Sequence, residues 1–139
     1  MIEMDQGTII NISSLAGTEP TGFGGIAYGA AKAAVVNFTK SLNVEFQHTR
    51  IRASVVIPGE VDTPMMDLRP IPPSTDTRAQ MVRAEEVAEA VDKITEISPT
   101  SNIPEMEIRQ TIQRESYTEM GNHRIALFRK NKIATVCLL

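Results

Sequence analysis

The stretch "GTIINIS", residues 7–13, decides the fold because it reads as a buried strand. Its apolar, β-branched run opens at Gly7 and closes at serine. The next segment, 14–25, is dense in Gly, Thr and Pro and predicts a loop. A helical pattern follows over residues 26–47. Four of its side chains share one stripe of that helix: Ala30, Ala34, Phe38 and Leu42.

The same order of strand and helix then repeats. "IRASVVIP" (51–58) predicts a second strand, and residues 59–83, with their prolines, predict a long loop. "AEEVAEAVDKITEI" (84–97) predicts an amphipathic helix, and 104–111 a weaker third strand. Strand, helix, strand, helix, strand predicts an α/β fold with three α/β/α layers. This is one half of a doubly wound, Rossmann-like parallel sheet.

No fold is predicted for the tail, residues 112–139. The chain of 139 residues is long enough for one domain with a core. Its net charge of −3 argues against a nucleic-acid partner, and no apolar run has the length of a membrane span. The single cysteine excludes an internal disulfide, and the two histidines lack partners at metal-ligand spacing. We therefore expect a cytoplasmic protein without a bound metal.

Tyr28 and Lys32 lie four residues apart in "YGAAK", so on a helix their side chains share a face. Taken alone, the pair has two interpretations. Tyr28 is either an ordinary residue at a helix start beside a solvated lysine, or a phenol placed beside an ammonium for proton transfer. A free phenol gives up its proton only near pH ~10. An ammonium about 4 Å away, at an effective dielectric constant of about 20, favours the phenolate by roughly 4 kcal/mol.

Three motifs in this order resemble the short-chain dehydrogenase/reductases: "NISS" (11–14), "YGAAK" (28–32) and "PGEVDT" (58–63). The resemblance covers about residues 7–111. Each motif alone is weak, whereas the three together, at a strand end, a helix start and the next strand end, are specific. The resemblance implies an NAD- or NADP-dependent oxidoreductase that moves hydride between nicotinamide and a small-molecule alcohol or carbonyl substrate.

The resemblance also implies roles for the residues of the first two motifs. Tyr28 would act as acid or base, and Lys32 would tune it and bind the nicotinamide ribose. Ser14 would hold the substrate oxygen beside the Tyr28 hydroxyl, while Ser13 points into the fold. The alternative for Ser14 is a simple turn or cap residue, since serines commonly end strands.

For the third motif, the resemblance implies a loop under the nicotinamide that includes Pro58 and Gly59. The Val61 backbone would meet the carboxamide, and the Thr63 side chain would bond the carboxamide or a phosphate, although a plain turn and cap remain the alternative. Met65 and Met66 would line the substrate pocket, or serve as core filler. The sequence "GFGGIA" (22–27) also fits a dinucleotide fingerprint, but no strand directly precedes it, so we treat the match as chance.

The sequence departs from the family pattern at its start. No strand, glycine-rich turn and helix precede residues 7–14, so the chain looks like the C-terminal half of such an enzyme. The strand at 7–13 would then present one unpaired edge. This supports a second hypothesis, a non-catalytic truncated fragment that acts as a binding or oligomerisation module. Such a module would pair with its own copy or with a full-length relative.

Overall fold

The computed structural model describes residues 1–20 and 24–112. The main elements, in chain order, are β1 (Gln6–Ile12), α1 (Gly25–Glu45), β2 (Arg50–Pro58), β3 (Val61–Asp62), α2 (Thr75–Arg78), β4 (Val82–Arg83), α3 (Ala84–Glu96) and β5 (Glu105–Ile108), with short 3-10 helices at Leu15–Gly17 and Pro64–Leu68. Of the predicted tail, all but Ile112 lies outside the described residues, and so do His123 and Cys137. No described helix combines the length and the apolar character that crossing a bilayer requires.

The main sheet has three parallel strands in the order β1-β2-β5. β1 pairs with β2 from Gln6 opposite Arg50, and β2 pairs with β5 from Val55 opposite Glu105. Helix α1 packs on one face of β2, and α3 packs on the other. These three layers confirm the predicted fold class, a partial doubly wound α/β sheet.

Strand β2 is buried on both faces, which explains its continuous apolar sequence. Val55 and Ile57 pack against Val36 of α1 and form the core cluster. On the opposite face, Ile94 of α3 is fully buried. The core therefore sits directly behind the end of the strand at which the "PGEVDT" motif begins.

Polar side chains fix α1 onto the sheet. The Asn11 amide donates to Thr39 Oγ1 at 3.0 Å, and Thr39 donates to the Val35 carbonyl. Asn43 exchanges two 2.8 Å hydrogen bonds with the Ala53 backbone, beside the start of β5. Asn43 thereby satisfies strand groups that β5 begins too late to pair.

The predicted alanine and phenylalanine stripe of α1 does not face the sheet. Phe38 is 57 % exposed, and Ala30 and Ala34 are also exposed, whereas Leu42 is partly buried. The packed face instead carries Val36 and Thr39. Helix α1 is apolar around most of its circumference, so hydrophobic spacing alone could not select the buried face.

Arg52 joins the sheet to the end of α3. Its Nε donates to Thr8 Oγ1 at 2.9 Å, and its Nη1 donates to the carbonyls of Ser98 and Ser101 at 2.9 and 2.7 Å. Nη2 also lies within 3.4 Å of the Ile94 carbonyl. The guanidinium thus satisfies carbonyls that the end of a helix leaves without partners.

The prediction that residues 59–83 form one long loop is wrong in detail. It contains the two-residue parallel pair of β3 and β4, a 3-10 helix and α2. Arg78 of α2 ties this segment together through salt bridges of 2.6 Å to Asp62 and to Asp67. These pieces are too short to produce a periodic pattern and form through tertiary pairing. The third strand is also shorter than predicted, Glu105–Ile108 instead of 104–111.

Candidate active site

A cavity of about 680 Å³ opens at the carboxyl ends of β1 and β2. Open parallel sheets bind ligands at this edge. Its walls come from the end of β1, the first turns of α1, the loop after β2 and the segment that follows. All nine residues that the sequence singled out line it: Ser14, Tyr28, Lys32, Pro58, Gly59, Val61, Thr63, Met65 and Met66.

Tyr28 and Lys32 enter the cavity from the first two turns of α1. The Lys32 ammonium lies 5.7 Å from the centroid of the Tyr28 ring, within the range of a cation–π contact. Its Nζ also donates to the Ile12 carbonyl at 3.1 Å, which anchors the side chain to the end of β1. Tyr28 is 40 % exposed, so a ligand in the cavity can reach it.

The two serines at the end of β1 have different surroundings. Ser13 is buried and donates to the Lys32 carbonyl at 2.8 Å, so it points into the fold as predicted. Ser14 lines the cavity, and its Oγ accepts from the Ala16 amide at 3.3 Å. Ser14 therefore caps the 3-10 helix Leu15–Gly17, while its hydroxyl hydrogen can still be donated to a ligand.

Gly17 allows the 3-10 helix to lie against α1. A Cβ at this position would stand 2.6 Å from the Lys32 carbonyl carbon and 2.8 Å from the Ala33 nitrogen. Both are backbone atoms that cannot move aside alone. Gly17 thus sets how closely Ser14 approaches the turn that carries Lys32. Gly17 lies in a segment predicted only as a loop, so the sequence did not indicate this role.

The loop after β2 is held by backbone pairing. The Gly59 amide donates to the Ile108 carbonyl at 2.8 Å, which extends the pairing of β2 with β5. A Cβ at Gly59 would lie 2.8 Å from Gln110 Oε1, which is the end of a flexible side chain, so packing alone does not require glycine there. Of the two methionines, Met66 is buried whereas Met65 is mostly exposed. Both candidate roles for them, pocket lining and core filling, have a basis in this arrangement.

Two charged residues of the cavity wall, Glu60 and Arg69, were not predicted from the sequence. Glu60 is only 7 % exposed, and its Oε1 accepts from Arg69 Nη1 at 2.8 Å. Their separation of nine residues, interrupted by Pro64, matches no regular spacing.

A second charge cluster lies at the same end of the sheet. Arg109, just after β5, forms salt bridges with Glu107 and with Glu19 of the β1–α1 loop. The hydrogen bonds to Glu107 and then to Glu19 raise the pKa of Arg109. The hydrogen bond from Arg109 lowers the pKa of Glu19 below its usual 4.5. The cluster ties the loop near Ser14 to the third strand.

The donors of the cavity fit the nicotinamide and ribose end of a dinucleotide. Ser14, Tyr28, Lys32 and Thr63 supply hydroxyl and ammonium groups beside apolar walls. Within residues 1–20 and 24–112, no three His, Cys, Asp or Glu side chains are grouped as metal ligands. The arrangement is suited to proton transfer at an oxygen held among these donors.

The chain belongs to the short-chain dehydrogenase family, since the sequence model of that family, described as short chain dehydrogenase, matches residues 1–70. An uncharacterized oxidoreductase of Staphylococcus epidermidis is 34 % identical over 110 residues, which are 78 % of this chain and 45 % of that protein. The cis-4-hydroxycyclohexanecarboxylate dehydrogenase of Sinomonas cyclohexanicum is 37 % identical over 90 residues, 61 % of this chain and 36 % of that protein.

Solved structures show the same fold. The closed form of a serine dehydrogenase complexed with NADP+ superposes with a TM-score of 0.71 at 31 % identity, over 84 % of this chain and 49 % of that one. A 3-oxoacyl-[acyl-carrier protein] reductase of Brucella melitensis with bound NAD gives a TM-score of 0.63 at 28 % identity, over 78 % of this chain and 41 % of that one. The chain thus spans less than half the length of these relatives.

Proposed function

We propose that this chain carries the proton-transfer part of an NAD- or NADP-dependent oxidoreductase acting on an alcohol or carbonyl substrate. The observation that carries the proposal is the convergence of Ser14, Tyr28 and Lys32 on one cavity at the sheet edge. Family membership and the relatives solved with NADP+ and with NAD support it. Because the chain spans under half the relatives' length, we assign to it only the proton-transfer part of the reaction.

Each of the three side chains has a distinct part. Ser14 donates its hydroxyl hydrogen to the substrate oxygen and holds it at the mouth of the cavity. Tyr28 gives a proton to that oxygen during reduction and takes it back during oxidation. Lys32, with its ammonium over the Tyr28 ring, stabilises the phenolate that remains.

A bound nicotinamide would supply or accept the hydride at the substrate carbon. On this chain, Lys32 would donate to its ribose, and the Val61 backbone with Thr63 would meet its carboxamide. Pro58 and Gly59 would form the floor below it. Helix α1 and the end of β1 keep these groups in place through Ser13, whose hydroxyl bonds the Lys32 carbonyl.

Turnover of NADH and NADPH with a panel of ketones and alcohols tests the proposal. The chain is assayed alone and mixed with a polypeptide that supplies the part of a relative which this chain does not span. Tyr28→Phe keeps the ring and removes only the hydroxyl, so activity should fall by roughly 10²–10⁴-fold. Activity that survives Tyr28→Phe unchanged would refute the proton-transfer role.

A second candidate function is favoured by the outer face of α1. Ile26, Phe38 and Val44 are 86 %, 57 % and 66 % exposed there, and several alanines extend the same surface. We call these three side chains the outer face of α1. Apolar area of this kind marks an interaction surface. A chain without enzymatic activity would use it as a module that associates with its own copy or with a longer relative.

A further inference from the structure

We propose that Arg78 is a positioning residue of the candidate site: it holds the Thr63 backbone from outside the cavity and leaves the Thr63 hydroxyl available to a bound dinucleotide. The proposal rests on the proposed function, since it takes the cavity as the nicotinamide site. It adds a residue beyond the three sequence motifs on which dinucleotide binding depends.

Three nitrogens of the Arg78 guanidinium each bind one residue of the segment after β2. Nε donates to Asp62 Oδ1 and Nη1 donates to Asp67 Oδ1, both at 2.6 Å. Nη2 donates to the Thr63 carbonyl at 3.2 Å. The contacts thereby span the start of the 3-10 helix Pro64–Leu68. A planar guanidinium fixes three acceptors relative to one another, whereas the single nitrogen of a lysine on its flexible stem cannot.

Arg78 contacts this segment without lining the cavity. Thr63 and the two methionines that follow it line the cavity, whereas Arg78 and its two carboxylate partners do not. The Arg78 side chain is 27 % exposed, so its contacts are partly shielded from water. A ligand in the cavity therefore senses Arg78 only through the segment that Arg78 holds.

The Thr63 hydroxyl is not used to cap the helix that follows it. Thr63 is the N-cap residue of the 3-10 helix, where a threonine oxygen commonly accepts from a backbone amide. Its side chain makes no such bond, whereas the side chains of Ser14 and Ser74 do cap their short helices. The Thr63 carbonyl instead accepts from the Met66 amide at 2.9 Å and from Arg78. Because the backbone is held through its carbonyl, the hydroxyl stays available to donate to or accept from a ligand.

A double-mutant cycle between Arg78 and Thr63 tests this proposal, with NADH titrated into the full chain and binding followed by fluorescence. Thr63→Val keeps the shape of the side chain and removes the hydroxyl, so NADH binding should weaken by about fivefold, the effect of one neutral hydrogen bond. Arg78→Met should weaken binding by a similar factor, because the hydroxyl is no longer held in position.

The double variant distinguishes positioning from a separate contribution. It should bind NADH at most about twofold less tightly than Thr63→Val alone, since Arg78 acts through a hydroxyl that is already gone. Independent contributions would instead multiply to a loss of about 25-fold. Should Arg78→Met not fold, Arg78→Lys takes its place in the cycle.

Two variants separate position from charge. Arg78→Lys keeps the charge but loses the planar fork, so it should bind NADH as weakly as Arg78→Met. Arg50→Met removes an exposed arginine at the amino end of β2, away from the cavity, and should bind NADH as the wild type does. The hydrogen-exchange rate of the Met66 amide, which bonds the Thr63 carbonyl, reports the anchoring without a ligand. This rate should rise in Arg78→Met and stay unchanged in Arg50→Met.

The proposal is overturned if the two single effects multiply, if Arg78→Met or Thr63→Val binds NADH as tightly as the wild type, or if Arg78→Lys restores binding. Unchanged exchange of the Met66 amide in Arg78→Met, or no NADH binding by the wild-type chain, also overturns it. Multiplying effects alongside turnover that depends on Tyr28 would refute the role of Arg78 alone. Coupled effects alongside turnover that survives Tyr28→Phe would refute only the proton-transfer role.

Discussion

At the scale of single residues, the chemistry depends on where Lys32 lies. Its ammonium bridges the Ile12 carbonyl and the Tyr28 ring, so it connects the end of β1 to the candidate acid. We predict that Lys32→Met weakens NADH binding by about tenfold, as expected for the loss of one charge-assisted hydrogen bond. A fluorescence titration with NADH measures this effect.

Lys40→Met is the matched control, because Lys40 lies on the same helix and pairs with Glu105 away from the cavity. NADH binding by Lys40→Met should equal that of the wild type. Equal weakening in the two lysine variants would mean that general charge, and not the place of Lys32, governs binding.

A second residue-scale prediction concerns Gly17. Gly17→Ala puts a methyl group against the backbone of Lys32 and Ala33, so the 3-10 helix must move away from α1. Overpacking of this kind costs about 1–3 kcal/mol in the free energy of unfolding, measured with urea. Gly7→Ala is the control, since its methyl group would meet only the flexible side chain of Met1. Equal stability of Gly17→Ala and wild type would refute the packing argument.

The sequence predicted some of these residues and missed others for physical reasons. Tyr28 and Lys32 share a helix face by spacing alone, so their meeting in one cavity was predictable. The contact of Glu60 with Arg69 was not, because it depends on how the irregular segment between them, which contains Pro64, folds back. The requirement for glycine at position 17 was not predictable either, because it comes from the close approach of the 3-10 helix to α1.

At the scale of elements, Arg52 holds the end of α3 against the sheet. Arg52→Met removes the cation and its hydrogen bonds to the carbonyls after the helix. We predict a loss of about 1.5–3 kcal/mol in the free energy of unfolding, the range for hydrogen bonds to a charged group. Chemical denaturation followed by circular dichroism measures it.

Arg50→Met provides the comparison for this prediction. Arg50 lies two residues earlier on the same strand, on the same side of the sheet, and is exposed. Its replacement should change stability by less than about 0.5 kcal/mol. A similar loss in both variants would show that the capping contacts contribute nothing specific.

Element types were more predictable than their packing. The apolar run of β2 and the amphipathic pattern of α3 identified those elements within a residue or two of their observed bounds. The packed face of α1 was not predictable, since the polar contacts of Asn11 with Thr39 and of Asn43 with Ala53 select it. The two-residue strands β3 and β4 have no sequence signal because they exist only through their mutual pairing.

At the scale of the whole molecule, the Glu19–Arg109 pair links the two outer parts of the sheet edge. Because the folded pKa of Glu19 lies below 4.5, its contribution to stability is present above that pH. The contribution is lost as the pH falls through the folded value. Urea unfolding at several pH values should show a smaller acid-induced loss of stability in Glu19→Gln than in wild type.

The partner variant Arg109→Gln should also show a smaller loss of unfolding free energy at acid pH, because it removes the cation that lowers the pKa of Glu19. Identical pH profiles for wild type and both variants would contradict the linkage.

The outer face of α1 predicts association of whole molecules. The double variant Ile26→Glu with Phe38→Glu places two charges on the exposed apolar surface. We expect the wild-type chain to sediment as an oligomer at micromolar concentration, and the variant to sediment as a monomer. Glu85→Gln with Glu89→Gln, on α3, is a control for altered charge. A monomeric wild type would count against this surface as a self-association site.

We propose above all that Ser14, Tyr28 and Lys32 form one site for the nicotinamide end of a dinucleotide. The decisive experiment is an NMR titration of the labelled chain with NADH. We expect the largest amide shift changes at the ends of β1 and β2 and in the first turns of α1, and smaller changes in Lys32→Met. Shift changes confined to surfaces away from this cavity, or none at saturating NADH, would contradict it.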